Sequence, residues 1–440
     1  MNPLQSPPFS CDTMVALPSA TAGGQVIFGK NSDRPQEETQ PLVMRPRVVH
    51  EQGDAGAQFV KVPQARETYR HVGSRPYWCA GYEHGFNEHQ VVIGNEALPT
   101  KLQTSNEPKL IGMELVRFAL ERAASAAEAV EVITGLVSEF GQGKFENSAG
   151  IRTYDNSYIV ADPHEAFIIE AVGHDWAVRR VENAATISNV CTLGGPADRI
   201  SPGAKRRATE AGLFEMGFGD AFNFSDVFAD RADSASGIAR QCRTETLINQ
   251  RSGNVDVRTV MQMLSDHSDG ANPGESLVED VNGQVSVCLH RTEGDAKGTS
   301  AATIVADLCA TGERLPVYWC GLYSPCMTLY LPVFIEGDLP KALSIGGETP
   351  SDDSPWWRFY GITHSGLSQG ASRREQIRTA WRPLQDELLE SAYVMAARGR
   401  ELLKGNKPEQ ARSLLSGYMS ESFVRAMEIA RSLGAQVTAQ

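Results

Sequence analysis

Cys11 follows a ten-residue stretch, Met1 to Ser10, that holds three prolines and no Lys or Arg, and it immediately precedes the first strand-like run of the chain. An isolated cysteine in such a place is ordinarily a small buried hydrophobe at a strand edge. The chemical alternative is that the Ser10–Cys11 bond is cut. Cys11 then becomes a new N-terminus whose thiol is the nucleophile and whose α-amine is the base. An unperturbed α-amino group has a pKa of roughly 7.7 to 8.0, so it is neutral near physiological pH and takes the thiol proton without any histidine. Such a site also needs charged groups to hold the amine and tune the thiol, and amide donors for a tetrahedral oxyanion.

Groups of those kinds occur further along. The run Gly29-Lys30-Asn31-Ser32-Asp33-Arg34-Pro35 reads as a polar cluster at a strand end. In it Asp33 is suited to holding the ammonium form of the amine, and Lys30 or Arg34 to lowering the thiol pKa or binding substrate. The plain alternative is a solvated turn with Asx-type hydrogen bonds. Asn95 and Asn189 each close a strand-like run and carry side-chain NH₂ donors, although an asparagine in that position is also an ordinary turn residue. His84 and His89, five apart, read as surface residues. The eight cysteines show no C-x-x-C and no Cys/His spacing of a zinc site, so neither metal nor cofactor is expected.

The elements that must position these residues alternate in blocks. Thr13–Leu17 and Gln25–Phe28 read as a β-hairpin, and strand-like patterning continues from Val60 to Leu98. Apolar residues then recur at helical spacing from Pro108 to Gly141, with Ser125 and Glu128 starting a second helix and Gly141 stopping it. Ser157–Ala161, Ala166–Val172 and Trp176–Val181 predict an antiparallel meander. Residues 195–270 read as mainly helical, with Asp220 to Ser236 as a polar connection. Strands follow at Gln284–His290, Ser300–Asp307, Arg314–Cys320 and Leu329–Phe334. Ser344 to Trp357 reads as a loop, and two long helices run from Ser372 to the end. Trp356, Trp357, Phe359 and Tyr360 read as an aromatic patch anchoring those helices to the core. Blocks of strands and helices without βαβα alternation indicate an α+β fold with antiparallel sheets, and no dinucleotide or P-loop glycine motif is present.

Composition narrows the function class. Lys and Arg number 41 against 54 Asp and Glu, a net charge of −13, which disfavours nucleic acid and anionic membrane surfaces as partners. No apolar run approaches the roughly 20 residues that span a bilayer. Sparse cysteines and the lack of a signal-peptide pattern point to a cytoplasmic protein.

The ordered set of motifs resembles the secernin and dipeptidase family of N-terminal-nucleophile cysteine hydrolases. It comprises Cys11-Asp12-Thr13-Met14-Val15-Ala16-Leu17, then Ile27 to Arg34, Asn87-Glu88, Ile93-Gly94-Asn95-Glu96-Ala97, Gly112 to Arg117, Gly141-Gln142-Gly143, Asn156 to Asp162, Ile187-Ser188-Asn189 and Ser286-Val287-Cys288. The resemblance spans about residues 9 to 340. It implies an αββα sandwich of two antiparallel sheets between helical layers, self-removal of the leader 1–10, a core over 11–343, and a loop and C-terminal helical extension over 344–440. It further implies amide-bond hydrolysis of dipeptides without metal or organic cofactor. Cys11 matches the nucleophile, Asp33 the carboxylate near its amine, and Asn95 and Asn189 the amide donors. Related choloylglycine and penicillin acylases carry Arg where Lys30 stands, so the charge is kept and the bidentate fork is lost. Those relatives also use a later Arg, for which Arg240 and Arg243 are equal candidates. Two other roles fit the same resemblance: a secernin-like regulator of exocytosis acting through protein partners, and acyl transfer to an amine. The C-terminal helices are also candidates for a homo-oligomer surface.

Overall fold

The computed structural model describes residues 11–102, 105–147, 150–194, 197–215, 221–267, 286–290 and 298–434. The first two strands, β1 (Cys11–Ala16) and β2 (Ile27–Arg34), pair antiparallel with Cys11 opposite Ser32 and Thr13 opposite Lys30. The chain then builds β3 (Leu42–Arg45), β4 (His71–Ser74), β5 (His84–Asn87) and β6 (Val92–Leu98). The meander follows as β7 (Asp155–Ala161), β8 (Ala166–Val172) and β9 (Asp175–Arg180). After it come β10 (Ala184–Ile187), β11 (Arg199–Ile200), β12 (Thr299–Asp307), β13 (Val317–Leu322) and β14 (Tyr330–Val333).

These strands form two antiparallel sheets, six-stranded in the order β10-β1-β2-β12-β13-β14 and eight-stranded in the order β11-β9-β8-β7-β6-β5-β4-β3. The inner faces meet in an apolar core where Phe86 of β5 stacks on Tyr318 of β13 with ring centroids 3.5 Å apart. Helices α1 (Gly112–Arg122) and α2 (Ala126–Phe140) cover the outer face of the eight-stranded sheet. The Ser125 side chain caps α2 by accepting from the Glu128 N–H, and Gly141 ends it with φ +68°.

The outer face of the six-stranded sheet is covered from both ends of the later sequence. After β11 the chain forms α3 (Ala204–Glu210), α4 (Phe224–Phe228), α5 (Ala235–Gln250) and α6 (Val257–Leu264), the last two contributing to this cover. Of these, α5 lies on β10 and β1, and α6 on β2 and β12. The C-terminal helices α7 (Pro355–Gln369), α8 (Ala371–Lys404) and α9 (Pro408–Ser432) pack over β13 and β14. Trp356, Trp357, Phe359 and Tyr360 are all buried on α7 and join the main core, which is the anchoring role expected of them. The αββα layering with a helical C-terminal region is therefore present.

Several local expectations change. The polar run Lys30–Arg34 lies in the body of β2, between β1 and β12, where its side chains find buried partners on both faces. Asn95 likewise sits inside β6 and not at its end. Helix α4 falls inside the stretch read as a polar connection, and α7 starts within the stretch read as a loop. Residues 286–290 form no strand, while 284 and 285 lie outside the described residues. His84 is buried in β5, an interior strand of its sheet, and is not a surface residue. Among the described residues no helix is long and apolar enough to cross a membrane.

Candidate active site

Alternation along β2 divides its side chains between two environments. Lys30 points to the gap between the sheets, where Gly94 of β6 leaves room for its stem, whereas Gly29 and Asn31 point to α6. Because Cys11 pairs with Ser32 and Thr13 with Lys30, the Cys11 side chain shares the inter-sheet face.

Each polar atom of Cys11 has its own partner. Its backbone N donates to Asn189 Oδ1 at 2.8 Å, and its carbonyl accepts from Arg240 Nη1 at 2.9 Å and from Ser188 Oγ at 3.2 Å. Its Sγ accepts from the Asp33 backbone N–H at 3.2 Å and lies 3.7 Å from the Asp33 carbonyl. Asn189 sits just past β10, with Nδ2 donating to the Ala97 carbonyl of β6 at 2.7 Å, so it bridges the two sheets at the nucleophile.

Arg240 comes from α5, which approaches Asn189 closely because Gly237 carries no side chain. Besides the Cys11 carbonyl, it binds Asp12 Oδ2 and Asn189 Oδ1, each at 2.8 Å. Arg243, three residues on, instead forms a two-bond fork with Asp266 at 2.8 and 2.9 Å. The structure thus separates the two candidates, and Arg240 is the one at Cys11.

The electrostatics are those of charges taken out of water. Burial pushes the Cys11 thiol well up, opposed by the Lys30 ammonium. Burial also raises the Asp33 carboxyl, helped by the neighbouring Asp12 and opposed by Arg240. Asp33 Oδ1 accepts from Ser300 Oγ at 2.6 Å, while its buried Oδ2 has no partner. Burial pulls the Lys30 ammonium down, but the facing Cys11 and Glu96 outweigh it and leave its pKa above the ordinary value. Lys30 Nζ donates to the Asn95 carbonyl at 2.7 Å and lies 3.5 Å from Glu96 Oε1, which also accepts from Thr13 Oγ1. Burial pushes Glu96 up to about 8 against the pull of Lys30.

Two expected site residues face elsewhere. Arg34 is buried in a network of its own, with Nε to Glu38 at 2.6 Å and Nη1 to Glu83 at 3.1 Å. Asn95 lies on the α1 side of β6, opposite in phase to the inward-facing Glu96. Turning its Nδ2 to Glu83 lets it donate to Oε2 at 3.1 Å and to the carbonyl at 2.8 Å, with Asn156 beside it. The structure therefore brings Asp33, Asn189, Lys30 and Arg240 around Cys11 but not the amide of Asn95. Glu96, Asp12 and Ser188 join the site unpredicted, although all three lie inside the motifs quoted above. Although the sequence shows no Cys/His spacing of a zinc site, His267, Cys288, His290 and Cys326 converge on the helix side of the six-stranded sheet. They are brought together by the fold and not by sequence spacing.

No protein-family model matches the chain. Among solved structures it is similar to a mutant of conjugated bile acid hydrolase from Clostridium perfringens, at 15% identity and TM-score 0.43 over 71% of this chain and 89% of that one. It is also similar to penicillin V acylase from Agrobacterium tumefaciens, at 14% identity and TM-score 0.39 over 73% of this chain and 86% of that one. A Caenorhabditis elegans ortholog of N-acylethanolamine-hydrolyzing acid amidase matches at 12% identity and TM-score 0.31, covering 67% of this chain and 92% of that one.

Proposed function

We propose that this protein is a cysteine amide hydrolase of small peptides, dipeptides first, in which loss of residues 1–10 frees the α-amine of Cys11 to act as base for its own thiol. The observation that carries the reading is the separate holding of the N, O and Sγ of Cys11 beside the unpartnered buried Oδ2 of Asp33. A cysteine that merely fills a core also has its backbone N–H and C=O paired, but it needs neither a charged group at its carbonyl nor an unpartnered carboxylate oxygen beside it.

The chemistry follows from the charges. Once the amine is free, Asn189 Oδ1 accepts from it and Asp33 favours its ammonium form. In its neutral form the amine takes the thiol proton, and the Lys30 ammonium favours the resulting thiolate. The thiolate attacks the peptide carbonyl carbon, and collapse of the tetrahedral adduct expels the amine, which leaves with that proton. Water then attacks the thioester as the Cys11 amine accepts its proton, and the carboxylic acid departs from the regenerated thiol. The dipeptide class rests on the family resemblance.

Intact-mass measurement and N-terminal sequencing of the purified protein test this directly. The expected result is a chain starting at Cys11 that hydrolyses members of a dipeptide panel. A retained leader together with no hydrolysis overturns the reading and turns attention to protein partners.

A further inference from the structure

We infer that His267, Cys288, His290 and Cys326 form a structural metal site, and that the ion it takes is Zn²⁺. All four residues are buried, and one ligand atom from each lies within 4.8 Å of the others. His290 Nε2 is 3.2 Å from Cys326 Sγ and 3.4 Å from Cys288 Sγ. With Zn–S near 2.3 Å and Zn–N of about 2.0 to 2.1 Å, a tetrahedral centre holds sulfur and nitrogen ~3.5 Å apart, close to this spacing.

The surroundings of the ligands favour the same reading. His267 Nδ1 pairs with Ser286 Oγ at 3.0 Å, and His290 Nδ1 pairs with Ser324 Oγ at 3.3 Å. Each imidazole therefore has its Nδ1 fixed by a hydroxyl and its Nε2 left over, the orienting arrangement typical of metal-bound histidines. His267 Nε2 is buried and has no hydrogen-bond partner among the described residues, which suits it to a metal ion.

Donor chemistry selects the ion. Two sulfurs and two imidazole nitrogens in a tetrahedral set suit zinc, whereas calcium and magnesium require oxygen donors. Two thiolates neutralise a divalent cation, so the buried centre carries no net charge. Four protein donors leave no open position, which makes the site structural and not hydrolytic. Cys326 also lines a surface cleft with Ser265, Pro325 and Thr328, giving the ion a route of entry.

The ion would join three segments that lack regular pairing with one another. His267 follows the end of α6, Cys288 and His290 belong to the irregular segment 286–290, and Cys326 lies in the short turn Pro325–Met327 between β13 and β14. Hydrogen bonds also tie 286–290 to the helix and sheet beside it. They include those from Val287 N and Cys288 N to the Asp266 carbonyl, both at 3.0 Å, and from Asn31 Nδ2 to the Val287 carbonyl at 3.1 Å.

The test is metal analysis of the full-length protein purified without chelator, followed by Co²⁺ substitution. About one zinc per chain is expected for a single four-ligand site, together with thiolate-to-cobalt charge-transfer absorption after exchange. His267→Ala and Cys288→Ser should each lower the bound zinc at least ~10-fold, while Cys242→Ser, at an exposed cysteine, should leave it unchanged. If the ligand variants fail to fold, titrating wild-type thiols with a mercurial should release the zinc in step with the loss of two thiols. Three results would overturn the inference: no zinc and no cobalt uptake, a Cys288–Cys326 disulfide in non-reducing peptide maps, or zinc retained in the His267→Ala/Cys288→Ser double variant.

Discussion

Two groups of buried sulfur lie on opposite faces of the six-stranded sheet, with β2 between them. On the inter-sheet face the partners of Cys11 among the described residues include Lys30, the Asp33 backbone and the Arg240–Asn189 pair. On the helix face Cys288 and Cys326 share His267 and His290. Cations and carboxylates around a lone thiol suit a nucleophile whose charge must appear and disappear. Imidazoles around two thiols suit a permanently bound cation. The same side chain thus meets two different chemical settings on the two faces of one strand. Asn31 is the link, since it belongs to the strand that positions Cys11 yet donates to the Leu264 and Val287 carbonyls at 2.8 and 3.1 Å on the other face.

Substitutions that disturb one face at a time sharpen this contrast. The largest effect should come from Cys11→Ala, which is expected to retain the leader and lower dipeptide hydrolysis at least ~10³-fold, with urea stability within about 1 kcal/mol of wild type. Mass spectrometry, a hydrolysis assay and urea titration check the three parts. Arg240→Gln removes one partner of a buried ion pair and should destabilise the fold by about 3 to 5 kcal/mol, because Asp12 is left charged without its cation. Arg240→Lys should recover only part of that, since the fork to Asp12 and Asn189 is lost. Chemical denaturation of both variants separates charge from geometry.

Asn31→Ala should cost about 1 to 3 kcal/mol by stranding two buried carbonyls, and faster amide exchange at Val287 and Cys288 should show the loss reaching the helix face. An unchanged exchange rate there would mean that the two faces are independent.

The smallest effect at any single step concerns pH, where the change is read as a slope. Glu96 is pushed up to about 8 in the folded protein, above the ordinary carboxyl range it regains on unfolding. Between those values the native state holds the proton more tightly than the unfolded state. The associated stability is full at acidic pH and falls away as pH rises through about 8. Glu96→Gln should therefore flatten the decline of the urea midpoint between pH 5 and 8, by at most about 1.4 kcal/mol per pH unit. An unaltered slope would show that Glu96 keeps its charge throughout.

Much of this arrangement is legible in the sequence, for identifiable reasons. The helical hairpin is readable because Ser125, Glu128 and Gly141 carry local capping signals, and the meander because turn residues punctuate alternating strands. Cys11, Asp33 and Asn189 lie in motifs whose order alone singles them out, and the structure brings the three together. Asn95 is misread because the phase of a strand, and so the face of each side chain, depends on which neighbour is inside. The inward Glu96 settles that phase only once the sheets are stacked. The polar run in β2 reads as a strand end because its partners come from α6, β6 and β12, far away in the chain. The His/Cys cluster is invisible for the same reason, since Cys326 joins His290 from 36 residues away with no local signature.

Lys30 to Arg34 also act on assembly. The residues of this run serve opposite faces in turn, and a one-residue slip of β2 against its neighbours would exchange those faces. Lys30 would then meet the apolar Val260 and Leu264 of α6, while Asn31 would leave the Leu264 and Val287 carbonyls bare. No hydrophobic gain offsets such a slip, because the misplaced groups are charged or amide-bearing and buried. The strand is in effect a keyed part: the residues that surround Cys11 are the ones that oppose a one-residue slip, so a chain folded with that slip has no Cys11 site at all.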